Sequence, residues 1–238
     1  MANKKVLIIV PAYNEGANIQ RTIQDLRSVT PEFDILVVDD GSADDTALKA
    51  RAAGVVVTQL PFNLGIGGAV QTGFQYAQTH GYDIAVQFDG DGQHEAGYLN
   101  ALIAPVAEGK MDIAVGSRFI HPDNTYKSSF VRRIGIHFFA HLISFLTQYQ
   151  ITDPTSGFRA FNRRVIAVFA EDYPSDFPEP ESIVIASRYG LRLAEVPVEM
   201  RKRQGGVSSI RYFNTLYYMV KVTFAILLNM IKRKKERN

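Results

Sequence analysis

Residues 6–40 read VLIIVPAYNEGANIQRTIQDLRSVTPEFDILVVDD: an apolar run at 6–10, a helical pattern at about 17–28, and a second apolar run at 34–40 that ends on two aspartates. Aliphatic runs without polar alternation suit strands covered on both faces, and a helix between two of them makes the βαβ unit of a parallel sheet. The rhythm continues with VVVT at 55–58, DIAVQFD at 83–89 and DIAVG at 112–116, separated by helical patterns at about 43–53, 66–80 and 96–109. The spacing predicts an α/β fold with one doubly wound, mostly parallel sheet flanked by helices. Ligands of such sheets sit at the carboxyl ends of the strands.

Beyond Phe119 the rhythm changes. A polar loop with Pro122, Asp123 and Asn124 leads to a long helical pattern from Phe130 to Gln148, then the turn-rich DPTSGFR at 153–159 and a helix near 163–171. A proline-rich stretch at 174–180, a helix to about Tyr189 and a strand LAEVPVEM at 193–200 complete this half, which is expected to close the site that the first half builds. With 238 residues, 46% hydrophobic and 21% charged, the chain has material for one core. Residues 1–210 are read as that domain and 211–238 as a terminal helix with a basic tail. No repeat with a period of about 20–50 residues points to a solenoid.

Cysteine is absent, which excludes disulfides, thiolate zinc sites and thiol nucleophiles and fits a reducing compartment. Lys4 and Lys5 precede only Val6 to Val10 before Pro11, too short an apolar run for a signal peptide. The formal charge of +2 hides an asymmetry: Lys232, Arg233, Lys234, Lys235 and Arg237 against Glu236 put +4 into the last seven residues, leaving about −2 on the body. A basic end on a mildly acidic body argues for an anionic surface met by the tail and against a nucleic-acid groove.

The polar clusters of the first half all fall where a strand ends. PAYNE at 11–15 follows the first run, with Pro11 expected to stop the ladder and Tyr13 to Glu15 offering a ring, an amide and a carboxylate. It also fits a plain strand-to-helix turn. DDGSADDT at 39–46 offers Asp39 or Asp40 to the ribose or base of a nucleotide, while Ser42 and Asp45 have the spacing of a capping box. DGDGQH at 89–94 is the strongest signal. Two carboxylates one glycine apart repel each other, and a divalent cation between them ends the repulsion; oxygen-only ligands favour Mg2+ or Mn2+ bridging to a pyrophosphate. Such an ion assists a departing diphosphate as a Lewis acid, with Gln93 or His94 completing the shell. The alternative is a solvated acidic turn.

NLGIGGA at 63–69 invites comparison with a dinucleotide fingerprint, but its glycines fall at 65, 67 and 68 and Val70 stands where the third is needed. The oxidoreductase reading fails on spacing, and the glycines are read as allowing a close helix approach. A sugar nucleotidyltransferase would carry a glycine-rich, basic loop where PAYNE stands.

Taken together, PAYNE, VVDDGSADDT, NLGIGGA, DGDGQH, GSR at 116–118, TDPTSGFR at 152–159 and RQGGVS at 203–208 resemble glycosyltransferase family 2, in particular polyprenyl-phosphate glycosyltransferases related to dolichyl-phosphate mannose synthase. The resemblance covers roughly residues 5–210 and implies a GT-A-type fold, a nucleotide-sugar donor, a UDP-sugar before others, and inversion. It implies that Pro11, Ala12, Tyr13, Glu15, Asp39, Asp40, Gly68, Asp89 and Gly90 surround the nucleotide, and that Arg203 clamps the diphosphate. Asp89, Asp91 and Gln93 would hold Mg2+ or Mn2+; Arg118 and Arg132 or Arg133 would take an acceptor phosphate, with Asp153 beside it.

A phosphate monoester is largely dianionic at neutral pH, its second pKa being about 6, so it attacks without a strong base. Arginines that aim it matter more. With a sugar hydroxyl as acceptor, as in polysaccharide assembly, Asp153 becomes the expected base. A non-catalytic nucleotide-sugar-binding scaffold is a third reading, against which the intact aspartate pair speaks. His137 and His141 lie at helical spacing but without a third ligand, so a metal pair there is rejected.

Residues 212–231 are long enough to span a bilayer but carry Lys221 at their middle. At about 100° per residue, Asn214, Tyr218, Lys221, Ala225, Asn229 and Lys232 share one stripe, with Phe213, Leu216, Val220, Phe224, Leu227 and Ile231 opposite. This is the pattern of an amphipathic, membrane-associated helix at the cytoplasmic face, peripheral or tail-anchored, although a core or oligomer-forming helix has the same pattern. Family members with two or more evident spans differ here, which leaves room for a separate small membrane-protein partner.

Overall fold

The computed structural model describes residues 4–120, 130–201 and 215–231. In chain order it forms β1 (Val6–Ala12), α1 (Ile19–Val29), β2 (Asp34–Asp39), α2 (Thr46–Ala52), β3 (Val56–Gln59), α3 (Gly65–Thr79) and β4 (Ile84–Gln87). A 3-10 turn (Ala96–Tyr98) then runs into α4 (Leu99–Ala107), followed by β5 (Ile113–Ser117), α5 (Phe130–Thr147), β6 (Arg159–Asn162), α6 (Arg163–Glu171), α7 (Pro178–Arg188), β7 (Leu193–Pro197) and α8 (Thr215–Ile231).

The seven strands form one sheet in the order β3-β2-β1-β4-β6-β5-β7. All seven residues of β1 are buried, because alternate side chains enter opposite cores. Ile8 and Val10 join Ile19, Ile23 and Leu26 of α1 and Leu102 and Ile103 of α4. Leu7 and Ile9 join Val70 and Phe74 of α3 and Ile166 and Phe169 of α6. The chain moves from β1 to β2 and β3 on one side and returns to β4 on the other, so β1 and β4 flank a switch point whose carboxyl end opens a crevice.

The parallel expectation holds for β1 with β2 and β4, for β2 with β3 and for β5 with β7. The sequence reading missed β6, which runs antiparallel between β4 and β5. Its four residues, RAFN, begin with a buried arginine and end on the asparagine that caps α6, so they lack the long apolar run by which the other strands were recognised.

Two local expectations also fail. Pro11 does not stop the ladder: β1 continues through Pro11 and Ala12, which stand opposite Val38 and Asp39. Pro11 shares the orientation of Ile9, whose carbonyl receives Phe88 N–H from the β4 side at 3.0 Å, and pairing with β4 ends at Gln87. The missing N–H of Pro11 therefore costs no ladder bond. The capping box of Ser42 and Asp45 does not form. Instead Asp44 accepts Thr46 N–H at 3.0 Å at the start of α2, while Ser42 bonds elsewhere.

α5, α7 and α8 enclose a third apolar cluster, including Phe139, Ile143, Ile183, Val184, Val222 and Ile226. α8 is turned opposite to a helix that keeps its polar stripe in water. Lys221 Nζ donates to Asp176 at 2.6 Å and Asn229 Nδ2 to Glu181 at 3.1 Å, so the polar stripe faces the body. Phe224, Leu228 and Ile231 face outward at 65, 51 and 80% exposure. Among the described residues no helix is long and apolar enough to cross a membrane.

Candidate active site

The loops after β1 and β2 are pinned to each other. Asn14 takes a left-handed backbone, φ 54°, which asparagine tolerates better than most residues. Its N–H donates to Ser42 Oγ at 2.9 Å, and its Oδ1 accepts Ala43 N–H at 2.9 Å. Glu15 N–H donates to Thr46 Oγ1 at 2.9 Å, while Tyr13 stands exposed at the rim.

Asp39 and Asp40 separate in role. Asp40 accepts the N–H groups of Leu64 at 2.7 Å and Gly65 at 2.9 Å, closing the amino end of α3 over its own loop. Burial raises the pKa of Asp40, against the pull of those two N–H bonds and with help from the nearby Asp39 charge. Asp39 has 0% exposure; its Oδ1 takes the Ser42 hydroxyl and N–H, while Oδ2 has no partner in the protein. A buried acceptor left without a donor marks a place for a ligand's N–H or O–H. In the NLGIGGA segment, a Cβ on Gly67 would collide with the Pro174 and Ser175 carbonyls; one on Gly68 would stand 2.5 Å from Leu64 Cβ. These glycines admit close packing of α3 against its surroundings.

In DGDGQH the acidic pair is divided. Asp89 accepts from His94 Nε2 at 3.0 Å and Gln87 Nε2 at 3.3 Å. Burial works to raise the pKa of Asp89, but the attraction and hydrogen bond of His94, the Gln87 amide and the Arg159 charge outweigh it and hold the carboxyl low. Repulsion from Asp91 therefore has a compensation within the protein, and the sequence argument that a cation must supply it was too strong. His94, read as an alternative ligand, is turned inward, stacked on Phe158 with ring centroids 5.0 Å apart. Asp91 Oδ1 accepts Gln93 N–H at 3.0 Å, and Asp91 lines a small cleft with Asn18, Arg21, Thr22, Asp25 and Gly92. Gly90 lies against the end of β1: a Cβ there would be 3.2 Å from the Pro11 carbonyl.

Among the described residues no three His, Asp or Glu side chains cluster as a closed metal site. Two carboxylates on one turn, with no cluster of three acidic or imidazole ligands among the described residues, suit a hard cation that completes its shell with substrate phosphate oxygens and water. The donor set thus fits Mg2+ or Mn2+ held jointly with a diphosphate.

Arg118 and Asp153 meet each other. Nε and Nη2 of Arg118 donate to the two Asp153 oxygens at 2.6 and 2.7 Å, and Nη2 reaches Thr155 Oγ1 at 2.9 Å. Both side chains are buried, at 4 and 0% exposure. Behind them Glu195 accepts the N–H groups of Thr152 at 2.9 Å and Asp153 at 2.8 Å. Arg118, read as taking an acceptor phosphate, and Asp153, read as standing beside it, are thus brought together as a closed pair. Arg133 is exposed on α5; the side chain of Arg132 and all of Arg203 lie outside the described residues.

The sequence pattern described as glycosyl transferase family 2 matches residues 7–169. The chain belongs to this family. The UDP-N-acetylglucosamine–dolichyl-phosphate N-acetylglucosaminyltransferase of Methanococcus voltae is 31% identical to it over 84% of this chain and 86% of that protein. The polyprenol monophosphomannose synthase of Mycolicibacterium smegmatis is 32% identical over 92% and 86%. Glucosyl-3-phosphoglycerate synthase from Mycobacterium tuberculosis, solved with Mn2+, UDP and glucosyl-3-phosphoglycerate, superposes with a TM-score of 0.74 at 22% identity, covering 99% of this chain and 82% of that one. This likeness shows the fold, a GT-A-like sheet.

In this family 2 glycosyltransferase, two residues of the TDPTSGFR motif to which the sequence reading gave no role, Gly157 and Arg159, stand beside or behind Asp89. Arg159, fully buried, donates to the Ser156 carbonyl at 2.7 Å, the Pro154 carbonyl at 3.1 Å and Ser182 Oγ at 2.8 Å, fastening the TSGFR turn to α7. That turn brings Gly157 against Asp89, where a Cβ would stand 2.8 Å from Oδ2. The visible signal was Gln87 inside the otherwise apolar AVQF, since a buried amide in a central strand implies polar company.

Proposed function

We propose that this glycosyltransferase moves a sugar from a nucleotide diphosphate, UDP before others, onto undecaprenyl or a similar polyprenyl phosphate with inversion, at the cytoplasmic face of a membrane. The observation that carries the reading is the convergence of Asp39, with its unpartnered oxygen, and the 89–91 turn at the switch point of the sheet. Asp39 accepts from the base or ribose, Pro11, Ala12, Tyr13 and Glu15 border the nucleoside, and Gly68 and Gly90 let α3 and the 89–91 turn pack closely beside it. Asp40 acts through α3, whose start it holds.

Asp91, with Asp89 and Gln93 near it, would hold Mg2+ or Mn2+ against the diphosphate, and Arg203 would clamp that diphosphate. The cation supplies charge neutralisation to the leaving group when bound. Asp89, kept ionised by His94 and Gln87, sets the electrostatic floor of the site.

The closed pair of Arg118 and Asp153 favours a phosphate acceptor. Both Asp153 oxygens are engaged by the Arg118 guanidinium, and a phosphate that is already ionised asks for no base. The polyprenyl acceptors named in the relatives agree. Arg133, with Arg132, is suited to aim the acceptor phosphate from α5, and the Arg118–Asp153 pair to wall the site beside it. The outward apolar faces of α5 and α8 suit a membrane surface, with or without a small membrane-protein partner.

A panel of UDP-, GDP- and dTDP-sugars, each incubated with undecaprenyl phosphate and with oligosaccharide acceptors, with and without chelator, tests this. One sugar lipid, lost on chelation, is the expected product. A glycosylated oligosaccharide with no sugar lipid overturns the acceptor assignment, and tight UDP binding without turnover on any acceptor overturns the enzymatic one.

A further inference from the structure

Arg201 lies two residues before the motif that contains Arg203, and none of the roles above uses it. It makes three contacts around the 89–95 turn. Its N–H donates to the Gln93 carbonyl at 2.9 Å, next to an isolated antiparallel bridge between His94 and Met200. Its guanidinium donates to Asp25 Oδ2 on α1 at 2.7 Å and lies 3.6 Å from Glu95 Oε1. The Gln93 peptide is thereby held at both ends, its N–H by Asp91 Oδ1 at 3.0 Å and its carbonyl by Arg201. Across the turn Thr22 Oγ1 of α1 donates to the Gly90 carbonyl at 3.3 Å.

We infer that Arg201 is a positioning residue that sets the stance of Asp91 relative to α1, and with it the affinity of the site for a divalent cation. The inference rests on the reading of Asp91 as a metal-binding residue. Stability is not the main use of the contact: Arg201, Asp25 and Glu95 are 34, 36 and 38% exposed, and ion pairs so open to water contribute about 0–1 kcal/mol. Their geometric use is larger, because Arg201 ties Asp25 of α1, which lines one cleft with Asp91, to Gln93 and Glu95 of the turn that carries Asp91. Residues supporting a metal ligand from behind change affinity by about 10–100-fold when removed.

The test titrates Mn2+ in the transfer assay and in calorimetry of UDP binding, for the wild type, Arg201→Ala, Arg201→Lys, Asp25→Asn and the Arg201→Ala/Asp25→Asn double variant. Arg201→Ala and Asp25→Asn each raise the half-saturating Mn2+ concentration about tenfold, and the double variant goes little further because both cut one link. Arg201→Lys falls between, and turnover at saturating Mn2+ stays within about twofold of wild type. An unchanged Mn2+ requirement in Arg201→Ala and Asp25→Asn overturns the inference, as does a turnover loss that saturating Mn2+ does not restore. Should Arg201→Ala not fold, Asp25→Asn decides alone. A wild-type enzyme indifferent to chelation overturns the metal reading itself, which is a separate result.

Discussion

At the residue scale the neighbouring Asp39 and Asp40 show how one sequence position changes a carboxylate's use. Asp40 points to the backbone N–H groups of α3, and Asp39 keeps one oxygen for something the protein does not supply. Asp39→Asn should therefore weaken UDP binding by about tenfold, the worth of a hydrogen bond to a charged acceptor, with little change in melting temperature. Asp40→Ala should do the opposite first, costing about 0.5–2 kcal/mol of stability as a lost cap, read by denaturant unfolding. A Cβ on Gly157 would meet Asp89 Oδ2 at 2.8 Å and Gln87 Nε2 at 2.9 Å. Gly157→Ala is expected to lower kcat/KM about tenfold or more by displacing Asp89, measured under saturating metal.

At the scale of elements, β5, β6 and β7 are tied at one end by Asp112. It accepts Arg192 N–H at 2.7 Å, Arg192 Nε at 3.1 Å and Asn162 Nδ2 at 2.7 Å. Burial pushes its pKa up, but the Arg192 and Asn162 bonds together outweigh that and leave it lowered. A carboxyl whose folded pKa lies below its unfolded value of about 3.9 stabilises the fold above that pH and ceases to do so as the pH falls through the folded value. Asp112→Asn should thus melt below the wild type at pH 7, with the gap narrowing below about pH 4, as followed by thermal unfolding across pH. The strand that this tie serves, β6, was illegible in the sequence because its stability comes from being sandwiched between β4 and β5, not from its own residues.

At the scale of the whole molecule, two helices present matching outward stripes: Ile134, Phe138, His141 and Phe145 on α5, and Val220, Phe224, Leu227 and Ile231 on α8. The two helices pack beside each other on α7, which directs both stripes away from the body. This apolar surface, built from two elements and flanked in sequence by the basic tail, is the face proposed to meet an anionic bilayer. Replacing Phe224 and Leu228 together by glutamate should reduce co-sedimentation with vesicles of anionic lipid at least about tenfold, since each change removes buried apolar area and adds repulsion. Undiminished sedimentation, with the protein still folded by circular dichroism, would count against this face as the contact.

The order of strands and helices in the first half, the acidic ends of β2 and β4 and the amphipathic character of α8 were legible in the sequence, because each rests on local periodicity or on groups a few residues apart. Which acid faces a ligand, that Arg118 and Asp153 close on each other, and which side of α8 is covered depend on neighbours 24 to 48 residues away, as between Asp40 and Leu64 or Glu181 and Asn229. Periodicity states that a helix has two unlike faces. Only packing assigns the partner of each, since a lysine and an asparagine are as readily satisfied by Asp176 and Glu181 as by water.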